Sequence, residues 1–251
     1  MVASGATVLE ARGSGLTEAI RCIRRTSGFL ATTSALAVES WTDRDVGPVD
    51  RALRAQRAAS RLLAVHGIDV RVTGPLPRGR VVIVANHVSY LDPLVVGSVI
   101  ACATLAKAEA RRWPLVGDAL AALGAIFVQR GDVASGAVAL LKARRVLLSG
   151  ASVLNFPEGT TTCGATIGPF RPGMFGLARI TGVDVVPGHV SYDDPRVHWF
   201  GGRSFVPHYL ALSRFTRVVA TLRFGAPLDQ DGGSVAERAR EAVAALGPTP
   251  C

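Results

Sequence analysis

The chain is 251 residues long, 49% hydrophobic, 19% charged and only 6% aromatic, with a formal net charge of +9. This length suits one α/β domain whose core is mostly Ala, Val and Leu, and no run reaches the roughly 18 to 20 apolar residues of a spanning helix. Cys22, Cys102, Cys163 and Cys251 are far apart and form no C-x-x-C pair, which argues against a zinc site or a disulfide framework and for a reducing cytoplasm.

Residues 1–48 are rich in Gly, Ser and Thr and weakly periodic, and predict a helical arm that is weakly ordered or lies on a membrane surface. Arg24-Arg25, ahead of the mildly apolar stretch Gly28 to Val38, reads as part of that arm rather than as an export signal. Asp43 to Pro48 is a linker-like break, and residues 49–251 form the main domain. From Asp50 a helix is expected, with Leu53, Ala58, Leu62, Leu63 and Val65 on one stripe and Arg51, Arg54, Arg57 and Arg61 opposite, ended by Gly67.

Ile68 to Val72 alternates as a strand on the sheet's rim, and the wholly apolar Val81 to Ala85 reads as a central strand. Beyond it strands and helices alternate: a helix and the strand Cys102 to Ala106; a helix from Pro114 ended by Gly124; the strand Ala125 to Val128; a helix capped by Asp132; and the strand Ser152 to Phe156. A short helix Met174 to Thr181, a strand Val183 to Val190, a helix Phe205 to Leu212, a strand Arg217 to Phe224 and a closing helix Ser234 to Leu246 complete the chain. This order predicts an α/β fold with a mostly parallel mixed sheet flanked by helices.

Chemistry-bearing residues sit at the ends of these strands. His87 leaves Val81–Ala85, and Asp92 follows five positions later; if Ser89 to Asp92 opens a helix, the carboxylate folds back on one imidazole nitrogen and leaves the other to accept a proton. Arg130 follows the strand Ala125 to Val128, where α/β folds place ligands, and its planar fork suits phosphate. Pro157-Glu158-Gly159-Thr160 is a turn after the next strand; it offers a carboxylate, backbone N–H groups and a hydroxyl. Pro187 interrupts Val185 to Val190 and reads as an edge or a bulge. His189, His198 and His208 carry no metal-ligand spacing, so no metal and no bound cofactor are expected.

The basic excess, with a pI of about 10.4, fits nucleic acid, anionic lipid or a phosphorylated substrate. The arginines are scattered and no RNA-binding aromatic signature lies among them, which favours an anionic membrane surface over a duplex and predicts no nucleic-acid partner.

In their order these blocks resemble the lysophosphatidic acid acyltransferase family. That family carries N-H-x-x-x-x-D, G-x-x-F-x-x-R, F-P-E-G-T-R and a V-P strand; the counterparts here are Asn86 to Asp92, Gly124 to Arg130 with Phe127 inside it, Phe156 to Thr161, and Val186-Pro187. Lys107-Ala108-Glu109 and Trp113 to Gly117 also look like the family's region between the first two blocks. The resemblance spans roughly residues 55–230 and makes residues 49–251 an acyltransferase domain.

The resemblance implies His87 as general base on an acceptor hydroxyl, Asp92 as its orienting partner, Lys107 and Arg130 on an anionic head group, Gly124 and Phe127 as further substrate-binding residues, and Glu158, Gly159 and Thr160 on the acceptor's glycerol-like part. The donor would be acyl-CoA or acyl-carrier protein, and the acceptor a lysolipid: 1-acyl-glycerol-3-phosphate first, or a lyso-ornithine lipid or another lysophospholipid. The family's Arg is replaced by Thr161, and Arg171 is the candidate to compensate. Attachment is expected to be peripheral, on the cytoplasmic face of the membrane, through the basic helix near Arg51 to Arg61. The rival from another class is a non-catalytic lipid-binding protein of the same shape.

Overall fold

The computed structural model describes residues 15–42, 45–230 and 234–247; residues 1–14 of the expected arm, 43–44 of its linker-like break, and Cys251 lie outside the described residues. Seven strands form one sheet in the order β1-β7-β6-β2-β5-β3-β4. They are β1 Ile68–Thr73, β2 Val81–Ala85, β3 Cys102–Lys107, β4 Ile126–Val128, β5 Ser152–Asn155, β6 Asp184–Tyr192 and β7 Val218–Phe224. Every neighbouring pair is parallel except β6 with β7. Strands β2 to β6 therefore all end on the same edge, and that shared edge is what gathers residues 87, 107, 130, 159 and 192.

The helices are α1 Gly15–Thr42, α2 Pro48–His66, α3 Asp92–Val99, α4 Val116–Ala122, α5 Val133–Leu148, α6 Gly173–Thr181, α7 Phe205–Leu212 and α8 Val235–Ala245. Alternation along β2 divides the core between the sheet's two faces. Val82 and Val84 pack with α5, α6 and α8, while Val81, Ile83 and Ala85 pack with α2, α3 and β7. Asp132 caps α5 by accepting from Ser135 N at 3.0 Å, as its position before an apolar run predicts.

Residues 15–42 of the expected helical arm form one long helix. It is fastened by Arg25, which is 2% exposed and donates to the carbonyls of Phe215 at 2.6 Å and Thr216 at 3.2 Å after α7. Burial, helped by the charges of Arg21 and Arg24, pulls that guanidinium down to about 10. On α2 the buried stripe is Ala52, Ala58, Ala59, Leu62 and Leu63. Leu53 faces outward, one position past the buried Ala52.

Pro187 does not mark an edge, since β6 lies inside the sheet between β2 and β7; it does adjoin a bulge, because residues 186–187 oppose 225–227 between the pairs Gly188↔Phe224 and Val185↔Leu228. The proline is tolerated because successive residues of a strand direct their backbone groups to opposite sides. The carbonyls of Val185 and Pro187 face the segment after β7, accepting from Leu228 N and Gly225 N. The β2 ladder therefore never calls on the missing N–H.

His189 points away from the site, is 8% exposed, and its Nδ1 has no partner among the described residues. Burial, and secondarily the charge of Arg223, pull its pKa from 6.5 to about 4. An imidazole held neutral in this way contributes stability above pH 6.5 that is lost as pH falls towards 4, roughly 3 kcal/mol in all. Denaturant titrations at pH 7.5 and 4.5 are expected to show a smaller acid-induced loss for His189→Leu than for the wild type. Equal losses would remove His189 as the cause.

Candidate active site

The loop after β2 is built around one carboxylate. Asp92 is fully buried and is the first residue of α3. Its Oδ2 accepts from the backbone N–H groups of Val88 at 2.7 Å and Ser89 at 2.9 Å, and faces His87 Nδ1 at 2.8 Å. Its Oδ1 accepts from the Tyr192 hydroxyl at 2.7 Å. The turn therefore closes on Asp92 from both sides. The imidazole is also stacked on Phe156, with ring centroids 4.1 Å apart and planes 17° from parallel. With Nδ1 directed at a carboxylate, Nε2 is the nitrogen left to take a proton, and it bonds to no described residue.

Neighbouring strands hold the backbone of this turn. Asn86, 3% exposed, both donates to Val190 O at 2.9 Å and accepts from Val190 N at 2.8 Å, stitching the end of β2 to β6. Glu158 Oε1 accepts from His87 N at 3.1 Å, and its Oε2 from Gly168 N at 2.9 Å. Burial raises the Glu158 carboxyl above its ordinary range, and these two amides oppose that shift. Each oxygen of Glu158 thus accepts from one main-chain amide.

Two cavities meet at His87. One, of about 290 Å³, is apolar; α1 contributes Phe29 and Leu36, α2 Ala55 and Ala59, α3 Leu94 and Gly97, and α4 Ala119 and Leu120. The other, of about 200 Å³, is lined by His87, Lys107, Arg130, Gly159 and Arg171. Lys107 Nζ lies 5.0 Å from the centre of the Trp113 ring and 5.4 Å from that of Trp199, a cation–π cage that holds the ammonium without neutralising it. Partial burial lowers the Arg130 guanidinium from its ordinary value; Glu109 opposes this and Arg171 adds to it.

Gly159 has φ +71°, and a Cβ there would sit 3.0 Å from Arg171 Nε. Glycine both permits the turn and lets the Arg171 side chain lie across it. Leu115, at φ 61° and ψ −46°, is a non-glycine residue in a sparsely populated region at the start of α4. It turns the chain from the Trp113 cage into the helix that walls the apolar cavity.

Of the residues expected at the site, His87, Lys107, Arg130 and Gly159 line the second cavity, with Asp92 directly behind the imidazole. Gly124, Phe127, Glu158 and Thr160 line neither cavity. Gly124 ends the α4 segment with φ +77°, and its face is covered by Arg51. Trp199, the role of Asn86 and the hydroxyl of Tyr192 were not anticipated, because each acts through a partner distant in the sequence.

A histidine–carboxylate pair at the strand-end edge of a mostly parallel sheet, where a largely apolar cavity meets a smaller one and Lys107 and Arg130 line both, defines an α/β acyltransferase. The profile of the Acyltransferase family matches residues 65–191, and the chain belongs to that family. A lyso-ornithine lipid O-acyltransferase of Pseudomonas aeruginosa is 34% identical over 209 residues, covering 80% of each chain. A 1-acyl-sn-glycerol-3-phosphate acyltransferase of Borreliella burgdorferi is 37% identical over 130 residues, covering 50% of this chain and 52% of its own. The crystal structure of the 1-acyl-sn-glycerophosphate acyltransferase of Thermotoga maritima superposes with a TM-score of 0.63 at 25% identity, covering 92% of this chain and 93% of that one.

Proposed function

We propose that this acyltransferase moves a fatty acyl group from a thioester of coenzyme A or acyl-carrier protein to the hydroxyl of a lysolipid with an anionic head. The observation that carries this reading is the position of His87, whose ring lines both cavities. The apolar cavity suits an acyl chain, and the pocket of Lys107, Arg130 and Arg171 suits a phosphate or carboxylate. His87 Nε2 takes the hydroxyl proton as the oxygen attacks the thioester carbonyl. The C–S bond then breaks, and the same proton passes to the departing thiolate. No acyl-enzyme forms.

Glu158 then acts by fixing the His87 backbone rather than by touching substrate, and Arg171 supplies a guanidinium in the block where Thr161 replaces the family's Arg. The relative matched over most of the chain acts on a lyso-ornithine lipid, which supports that acceptor. Three cations in one pocket support the second reading, 1-acyl-glycerol-3-phosphate. Purified enzyme offered both acceptors and one acyl-CoA, with product resolved by mass spectrometry, is expected to acylate one at least ten-fold faster. No turnover on any lysolipid, with either type of donor, would end the proposal in favour of a lipid-binding role.

Among the described residues no helix is long and apolar enough to cross a membrane. Leu16, Ile20, Ile23 and Leu30 nevertheless form an exposed stripe on α1. That stripe, with the exposed Arg57 and Arg61 of α2, supports peripheral attachment to an anionic bilayer, and the cytoplasmic face is the proposed side. Flotation with anionic liposomes at low salt is the check, and protein left at the bottom of the gradient would count against attachment.

A further inference from the structure

We propose that Tyr192 is a positioning residue of the His87–Asp92 pair, holding the carboxylate through Oδ1 so that Oδ2 stays aimed at the imidazole. The inference rests on the reading of His87 as base. Asp92 Oδ2 already serves His87 and two backbone amides. The opposite oxygen has one described donor, the Tyr192 hydroxyl at 2.7 Å. A buried carboxylate held on one oxygen alone could rotate about its last bond; a donor on the other oxygen fixes its plane.

The phenol is built to stay there. Tyr192 is the last residue of β6, paired with Ala220 of β7. The next residue, Asp193, donates its N–H to Val219 O at 3.0 Å and accepts from Val219 N at 2.9 Å. Two residues before Tyr192, Val190 exchanges both its backbone bonds with Asn86, the residue preceding His87. One cross-strand clamp thus sets the base and the phenol in register. Burial and the charge of Asp92 keep the phenol far above its ordinary pKa, so it remains a donor at any working pH.

The test is Tyr192→Phe, which removes one oxygen and keeps the ring. Loss of a hydrogen bond to a charged group predicts a fall in kcat of about ten-fold or more, with the acceptor KM unchanged. Removing the donor leaves more of the carboxylate's charge facing the imidazole, so the acid limb of the kcat profile moves to higher pH. In an Asp92→Asn background, followed with a radiolabelled donor, the same change is expected to cost little more.

Wild-type kcat, an unmoved acid limb, or an equal loss in the Asp92→Asn background each overturns the proposal. Should Tyr192→Phe unfold, 3-fluorotyrosine at 192 serves instead: the more acidic phenol strengthens the bond and moves the limb to lower pH. His87→Ala separates the two readings. If it retains activity, the base assignment fails; if it is inactive while Tyr192→Phe behaves as wild type, only the role of Tyr192 fails.

Discussion

His87→Ala lowers kcat by about 10²- to 10⁴-fold, the usual contribution of a positioned general base, while the protein stays folded. The reaction needs a proton removed from an alcohol as it attacks, and among the groups at the junction of the cavities only the imidazole is arranged to accept one. Lys107, Arg130 and Arg171 are cations, Glu158 is committed to two amides, and Asp92 is fully buried behind the ring. The structural cost is moderate. The ring is lost from its stack on Phe156, but Asp92 keeps the donors of Val88, Ser89 and Tyr192. A decrease of about 1–3 kcal/mol in unfolding free energy is expected. Steady-state rates beside a urea titration check both parts, and a purified His87→Ala enzyme within ten-fold of wild type sinks the mechanism.

Asp92→Asn is expected to cost as much rate as His87→Ala, and it reaches further into the fold. Four donors converge on this carboxylate, and a carboxamide must turn an NH₂ group towards some of them. Whichever way it settles, at least one donor loses its acceptor, either the Tyr192 O–H, whose oxygen would then accept from the NH₂, or the N–H groups of Val88 and Ser89, at about 1–3 kcal/mol for each orphaned group. If the amide's NH₂ faces His87, the imidazole is driven to the tautomer with its hydrogen on Nε2, where it cannot accept a proton. The rate is expected to fall by roughly 10³- to 10⁴-fold, by the logic of a histidine deprived of its orienting acid. The distinguishing measurement is acceptor binding, which should stay near wild type because Asp92 lines neither cavity. A variant that retains a tenth or more of the wild-type kcat contradicts this account.

The parts of the site that were legible in the sequence are those whose geometry is local. Asp92 reaches back over five residues to His87 because, at the start of a helix, its carboxylate can accept from the N–H groups of Val88 and Ser89 in the loop just before it. Arg130 follows an apolar strand, and period places it on the edge where ligands bind; Lys107, the last residue of β3, was legible only through the family resemblance. Glu158 was legible as a turn carboxylate, but its hold on the main chain was not. Its partner amides lie 71 and 10 residues away, and no local pattern announces them. Tyr192 is separated from Asp92 by 100 residues, and the clamp of Asn86 on Val190 by 104.

The first helix shows the same division. Its Gly, Ser and Thr content hides its periodicity, and Arg25 looks like one more surface arginine until the carbonyls at the end of α7 are brought beside it. By itself, the sequence determined the alternation of strands and helices, the mostly parallel sheet and the histidine–acid pair, because burial periodicity and short-range reach are written residue by residue. The tertiary structure alone decided that β6 lies inside the sheet, that Glu158 braces the backbone, that Arg171 crosses Gly159 and that a phenol holds the far side of Asp92. Strand order brings those groups together across a hundred residues, and it is set by the packing of both faces at once rather than by any one segment.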